Sequence, residues 1–272
     1  MSLLVRVIFL LGVGAGLYLA VGPKPQANGA GAAPAVATAP IAPGRLTEES
    51  LTLPVVSGRR DYTAPRGVFD TATFSHAGQE RRWHWIVPAG KSGPSPAIVL
   101  LHGSRRDGAA MLDMAKALAQ KGYFLIAPDA ANPAEWSSTQ DGDDFLTALL
   151  EQAEGVHPLE RERIYLIGHS AGGNFALWLA NRSGGPWRAV AVHAGAVGSG
   201  DIAARADAPP VLMVVGERDE FYPVDAVRSS AKALAAAGHD VTLQVVPRHD
   251  HWFYGIGPRF ARHAGAFLAA AD

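Results

Sequence analysis

Ser170 stands in Gly168-His169-Ser170-Ala171-Gly172, after the short apolar run Ile164 to Ile167 and just before a second, helix-compatible apolar run. A serine hydroxyl is a poor nucleophile unless a neighbouring base takes its proton, so the next residues to find are a base and a group that orients it. Candidates occur downstream in the order serine, acid, histidine. "GERDEFYP" puts Asp219 behind the apolar run Val211 to Val215, and "PRHDHWFYG" puts His249 and His251 behind Thr242 to Val246. Glu217, Glu220 and Asp225 are rivals for the acid. The five-residue serine pattern is weak by itself in a chain with 30 glycines; its address and its partners give it weight. A turn tight enough to expose a serine needs small neighbours, which Gly168 and Gly172 supply, and Gly173 lets the next helix approach the sheet. The amino end of that helix would aim the Ala171 N–H at developing negative charge.

The elements that must hold these groups are legible in the apolar periods. Thr71 to Gly78 and Arg81 to Pro88 alternate around a Gly-Gln-Glu turn and predict an antiparallel hairpin. Ala97 to Leu101 is continuously apolar, as in a strand buried on both faces. Ala110, Met111, Met114, Ala115 and Leu118 then fall at helical spacing, with Gly122 to close the helix. Strand and helix alternate from there: strands at Tyr123 to Pro128, Arg163 to Gly168, Arg188 to His193, Pro210 to Val215 and Val241 to Pro247, with a last helix from about Pro258 to Ala270. This order predicts an α/β protein with a mostly parallel sheet of about eight strands, helices on both faces and an antiparallel hairpin at its start. In such sheets functional residues gather where loops leave the carboxyl ends of strands, which is where Ser170, Asp219, His249 and His251 fall.

With those marks in place, the sequence resembles the α/β-hydrolase superfamily, and more narrowly its small lidless esterases related to dienelactone hydrolases and secreted polyester depolymerases. The residues that carry the resemblance are "LLHGS" (Leu100 to Ser104), "GHSAG" (Gly168 to Gly172), "GERDEFYP" (Gly216 to Pro223) and "HDHWF" (His249 to Phe253), spread over roughly residues 70 to 270. The resemblance implies a serine hydrolase acting on small carboxylic esters through an acyl-enzyme. Ser170 would be its nucleophile, Asp219 the orienting acid, His251 the general base, and the backbone N–H groups of Ser104 and Ala171 the oxyanion donors. Resembling enzymes place a bulky residue after the base, as Trp252 and Phe253 follow His251; His249 is the reserve candidate, or else a solvated loop residue beside Asp250. His102 reads as a support for the oxyanion loop, and His169 and His193 as packing. No segment between strands is long enough for a cap domain, so the site is expected to be open, with Arg105, Trp136, Phe221, Tyr222 and Trp252 near its rim. A prolyl-oligopeptidase-like amidase is the alternative within enzymes, and a tethered binding protein without turnover the alternative outside them.

Composition bounds the rest. The formal charge is −1 with both signs interspersed, so no basic stripe points to nucleic acid. There is no cysteine, which excludes disulfides and sulfur-ligated zinc. Neither a nucleotide-binding glycine motif nor a third ligand for "HDH" is present, so no cofactor and no metal is expected. Val7 to Gly22 carries no charge and reads as a signal peptide or membrane anchor (residues 1–22, a tether through residues 3–22). Residues 23–60 are rich in Pro, Ala and Gly and read as a linker with some order near Leu46 to Val56, leaving 61–272 as the folded domain, outside the cytoplasm.

Overall fold

The computed structural model of the chain describes residues 41–54, 62 and 69–272. These lie in a unit spanning Pro40–Asp272; the segment read as signal or anchor and the first part of the linker lie outside the described residues. The strands are β1 (Leu46–Ser50), β2 (Asp70–His76), β3 (Gln79–Ile86), β4 (Ser95–Leu101), β5 (Phe124–Pro128), β6 (Leu159–His169), β7 (Trp187–His193), β8 (Val211–Gly216) and β9 (Val241–Val246). The helices are α1 (Gly108–Ala115), α2 (Asp143–Val156), α3 (Ala171–Arg182), α4 (Val224–Ala236) and α5 (Gly257–Ala269). The strands form one sheet in the order β1-β9-β8-β7-β6-β4-β5-β3-β2. Pairing is parallel except where β3 meets β2 and β5.

The continuous apolar strands are buried because helices cover both faces. Successive side chains of a strand point to opposite faces, and β4 divides accordingly. Val99 and Leu101 pack with Phe145 and Leu149 of α2, Phe175 and Leu179 of α3 and Leu234 of α4. Ile98 and Leu100 pack with Met111 and Leu112 of α1 and Phe260 and Leu268 of α5. Asp107 caps α1 by accepting the Ala110 N–H at 2.9 Å. That helix is shorter than its apolar spacing predicts: from Lys116 to Lys121 it tightens into a 3-10 turn, which Gly122 closes at φ 92°.

Two further details depart from expectation. The hairpin turns on Ala77 and Gly78, both at positive φ (49° and 74°), rather than on Gly78 to Glu80. A two-residue turn of this hand matches the twist of the strands it joins, so Gln79 and Glu80 enter β3 opposite His76 and Ser75. Among the described residues the sheet also has nine strands, because Leu46–Ser50, inside the interval read as linker with some order, pairs in parallel with β9. Its sequence, LTEES, carries no apolar pattern because only Leu46 is shielded; backbone pairing and the contacts of Glu48 with Arg228 and Glu49 with Gln244 hold it. Among the described residues no inter-strand segment builds a cap over the strand ends, and no helix is long and apolar enough to cross a membrane.

Candidate active site

β6 delivers its last residue, His169, to the sheet end and α3 begins at Ala171, so Ser170 alone makes the turn. It does so at φ 55° and ψ −120°, a conformation that costs a residue with a Cβ on the order of 1–3 kcal/mol and persists only where the surroundings over-determine it. They do. The Ser170 N–H donates to the His193 carbonyl at 3.0 Å, and the Ser170 carbonyl accepts from the Asn174 N–H at 2.9 Å. A Cβ on Gly168 would lie 2.3 Å from the Gly172 oxygen, and one on Gly172 would lie 2.2 Å from the Leu101 oxygen. Glycine at both places is thus a condition of the turn.

The loop after β4 passes directly against this serine: a Cβ on Gly103 would stand 3.4 Å from the Ser170 Cβ. Ser104 follows Gly103, while Ala171 opens α3, where backbone N–H groups lack partners within the helix. His102 holds the loop, as the sequence reading expects. Its Nδ1–H donates to the Gly103 carbonyl at 2.9 Å, its Nε2 accepts from the Ala130 N–H at 3.0 Å, and burial depresses its pKa, so the ring is neutral with a defined tautomer. The Trp136 indole N–H donates to the His102 carbonyl at 2.8 Å and ties the next loop to the same point.

The loops after β8 and β9 complete the arrangement. His251 Nε2 lies 3.0 Å from Ser170 Oγ, and His251 Nδ1 lies 2.9 Å from Asp219 Oδ2. Asp219 is 5% exposed, and its other oxygen accepts the N–H groups of Phe221 (3.0 Å) and Tyr222 (2.8 Å). The rival acids are engaged elsewhere or exposed. Glu217 accepts from the Arg248 N–H at 2.7 Å, Asp225 pairs with Arg228, and Glu220 faces solvent.

His249 is not the solvated loop residue that was its alternative reading. It is 1% exposed, with Nε2 at 2.9 Å from His193 Nε2, because the loop turns it inward beneath the sheet end. His193 in turn meets His169, Nδ1 to Nδ1, at 3.0 Å, and the His169 ring stacks on Phe253 at 4.6 Å. Burial holds all three imidazoles below their ordinary pKa, most strongly His169 and His193, so a row of neutral rings backs the Ser170 turn.

Of the five rim residues, two touch the His251 ring. Tyr222 stacks on it at 5.5 Å and 13°, its hydroxyl near Ser170 and Asn174 and its pKa raised by burial; Phe221, 76% exposed, lies 4.9 Å from it. Trp136 lines a groove of about 480 Å³ that also includes Ala171, next to the serine. Trp252 instead packs edge-on against Tyr254 at 5.2 Å beneath the Arg106 guanidinium, and Arg105 is exposed on the loop after β4. Asn174, Phe175 and Trp178 also line the groove and were missed by the sequence reading. The signal was there: Asn174 and Trp178 are four residues apart, hence on one face of α3 in the turns just after Ser170.

Residues 85–267, which include Ser170, Asp219 and His251, match the dienelactone hydrolase family. The chain belongs to the dienelactone hydrolase family. NocK of Nocardia uniformis subsp. tsuyamanensis, assigned as an esterase, is 30% identical over 110 residues, which cover 40% of this chain and 32% of NocK. Among solved structures, the ferulic acid esterase AmCE1/Fae1A of the fungus Anaeromyces mucronatus aligns with a TM-score of 0.62 at 18% identity, over 79% of this chain and 95% of that one. The acylaminoacyl peptidase of Pyrococcus horikoshii aligns with a TM-score of 0.56 at 17% identity, over 75% of this chain and 41% of that one. Identities this low establish a shared fold, and the matched region spans less than half the length of both NocK and the peptidase.

Proposed function

We propose that this member of the dienelactone hydrolase family is a serine hydrolase of small carboxylic esters that works through an acyl-enzyme. The observation that carries the reading is the unbroken chain Ser170 Oγ, His251 Nε2, His251 Nδ1, Asp219 Oδ2, with links of 3.0 and 2.9 Å, on a serine held at positive φ. Ser170 attacks the ester carbonyl while His251 takes its proton. The Ala171 and Ser104 N–H groups receive the oxyanion, the amino end of α3 adding favourable potential. His251 then passes its proton to the departing alkoxide; water, deprotonated by the same imidazole, attacks the acyl-Ser170 ester, and the imidazolium returns that proton to Ser170 Oγ as the acid leaves. Asp219 keeps the proton on Nδ1, so that Nε2 faces the serine as an acceptor, and stabilises the imidazolium once it forms.

The residue-1–22 segment, read as signal or anchor, would place this chemistry outside the cytoplasm, on a domain secreted or tethered through the linker. The openness of the strand ends favours esters over the amide-cleaving alternative, whose prolyl-oligopeptidase-like enzymes use a gating domain. Hydrolysis of p-nitrophenyl acetate should be readily measured, whereas an aminoacyl p-nitroanilide should be turned over far more slowly. A preference for the anilide would replace the esterase reading with the amidase one.

A further inference from the structure

The groove of about 480 Å³ that opens beside Ala171 is large enough for one arm of a small ester. Three aromatic rings form a stacked row along it. Trp136 and Phe175 lie 5.5 Å apart at 11°, and Phe175 and Trp178 lie 5.8 Å apart at 3°. Its charge is one-sided: Glu135 and Asp201 line it, and among the described residues that line it there is no Lys or Arg. Glu135 is fixed at its place by accepting from the Asn132 side-chain amide at 3.1 Å, and Asp201 by a single 3-10 turn in the β7–β8 connection, its N–H donating to the Gly198 carbonyl at 3.0 Å. Arg105, which the sequence places near the rim of the site, is not among its lining residues.

We infer that this groove is the subsite for one arm of the substrate, and that it selects arms ending in a cation on an apolar stem over arms ending in a carboxylate. Phe175 is covered on both faces by its two neighbours, so the row serves as contact area for an apolar stem, while the two carboxylates attract the cation and repel an anion. The inference rests on the esterase reading, because Ala171 joins the groove to the reaction centre only if Ser170 is the nucleophile.

The test compares acetate esters of three alcohols of similar size: choline, its neutral carbon isostere 3,3-dimethylbutanol, and a carboxylate-terminated alkanol. The same three heads are then placed on the acyl side. In the arm that occupies the groove, kcat/KM should fall in the order cationic, neutral, anionic. Two exposed carboxylates lead us to expect a span of no more than about tenfold between the ends of the series, shrinking as salt is raised. In the double variant Glu135→Gln, Asp201→Asn the cationic-to-anionic ratio should approach one. Because the ratio is internal to each protein, a loss of folded material does not mimic the effect. No charge order in either arm, or an order that survives the double substitution, overturns the subsite while p-nitrophenyl acetate is still hydrolysed. A wild-type protein inert toward p-nitrophenyl acetate and all six esters overturns the esterase reading, and the subsite with it.

Discussion

The two oxygens of Asp219 face in different directions, and that division makes a clean test of the residue's role. Oδ1 holds the start of its own loop through the Phe221 and Tyr222 N–H groups, and Oδ2 faces His251. In Asp219→Asn the amide oxygen can keep accepting from the loop while its NH2 group faces Nδ1, which forces the imidazole proton onto Nε2 and leaves no acceptor for the serine proton. Ester kcat should fall about ten-thousand-fold with the circular dichroism spectrum unchanged. A loss below about tenfold would show that His251 does not need this partner. The sequence pointed to these residues because serine, acid and histidine each follow an apolar strand. It did not point to His249 as a buried residue, since its exposure depends on which way a loop folds back, and "PRHDHWFYG" has no period from which to read that.

At the scale of the element, the approach of α3 to β4 sets the serine turn. Gly172→Ala would drive a Cβ to 2.2 Å from the Leu101 oxygen, an atom of the sheet backbone that cannot move aside alone. We expect a loss of about 3 kcal/mol or more, read as a lower urea midpoint or as failure to accumulate folded protein. Gly155→Ala is the counter-case: it lies in α2 with open space at its Cβ, and should stabilise by about 0.5–1 kcal/mol. Equal effects at the two glycines would mean that the α3–β4 contact is looser than described. The same contrast explains what was legible. β4 to β9 and the helices between them announce themselves because burial on one or both faces demands an apolar pattern. Strand β1 does not, since an edge strand held by backbone pairing and by contacts such as Arg228 with Glu48 needs no such pattern. The groove residue Phe175 was hidden for the opposite reason: in α3 it looks like an ordinary core position.

For the whole molecule, the buried titratable groups set how stability responds to acid. His169 and His193 are held neutral by burial, with pKa values well below the ordinary one. The unfolded chain takes up their protons once pH drops below about 6.5, so stability is full above that pH and declines below it. Asp129 adds a second phase. Burial pushes its carboxyl up, but His84, the Gly108 N–H and Arg82 outweigh this and hold it at about 2. Its contribution, about 2 kcal/mol at neutral pH, is therefore lost as pH falls from about 4 toward 2. Urea midpoints measured from pH 8 down to 3 should be level at first, fall below about pH 6.5, and fall again below about pH 4. A midpoint that is flat between pH 7 and 5 would contradict the neutral histidine row.

The most direct measurement of the central claim is covalent labelling with a fluorophosphonate, read by intact mass and peptide mapping. One adduct per chain, mapped to Ser170 and absent from Ser170→Ala, is the predicted result. A wild-type protein that stays unlabelled, or a Ser170→Ala protein that labels as fast, would contradict it.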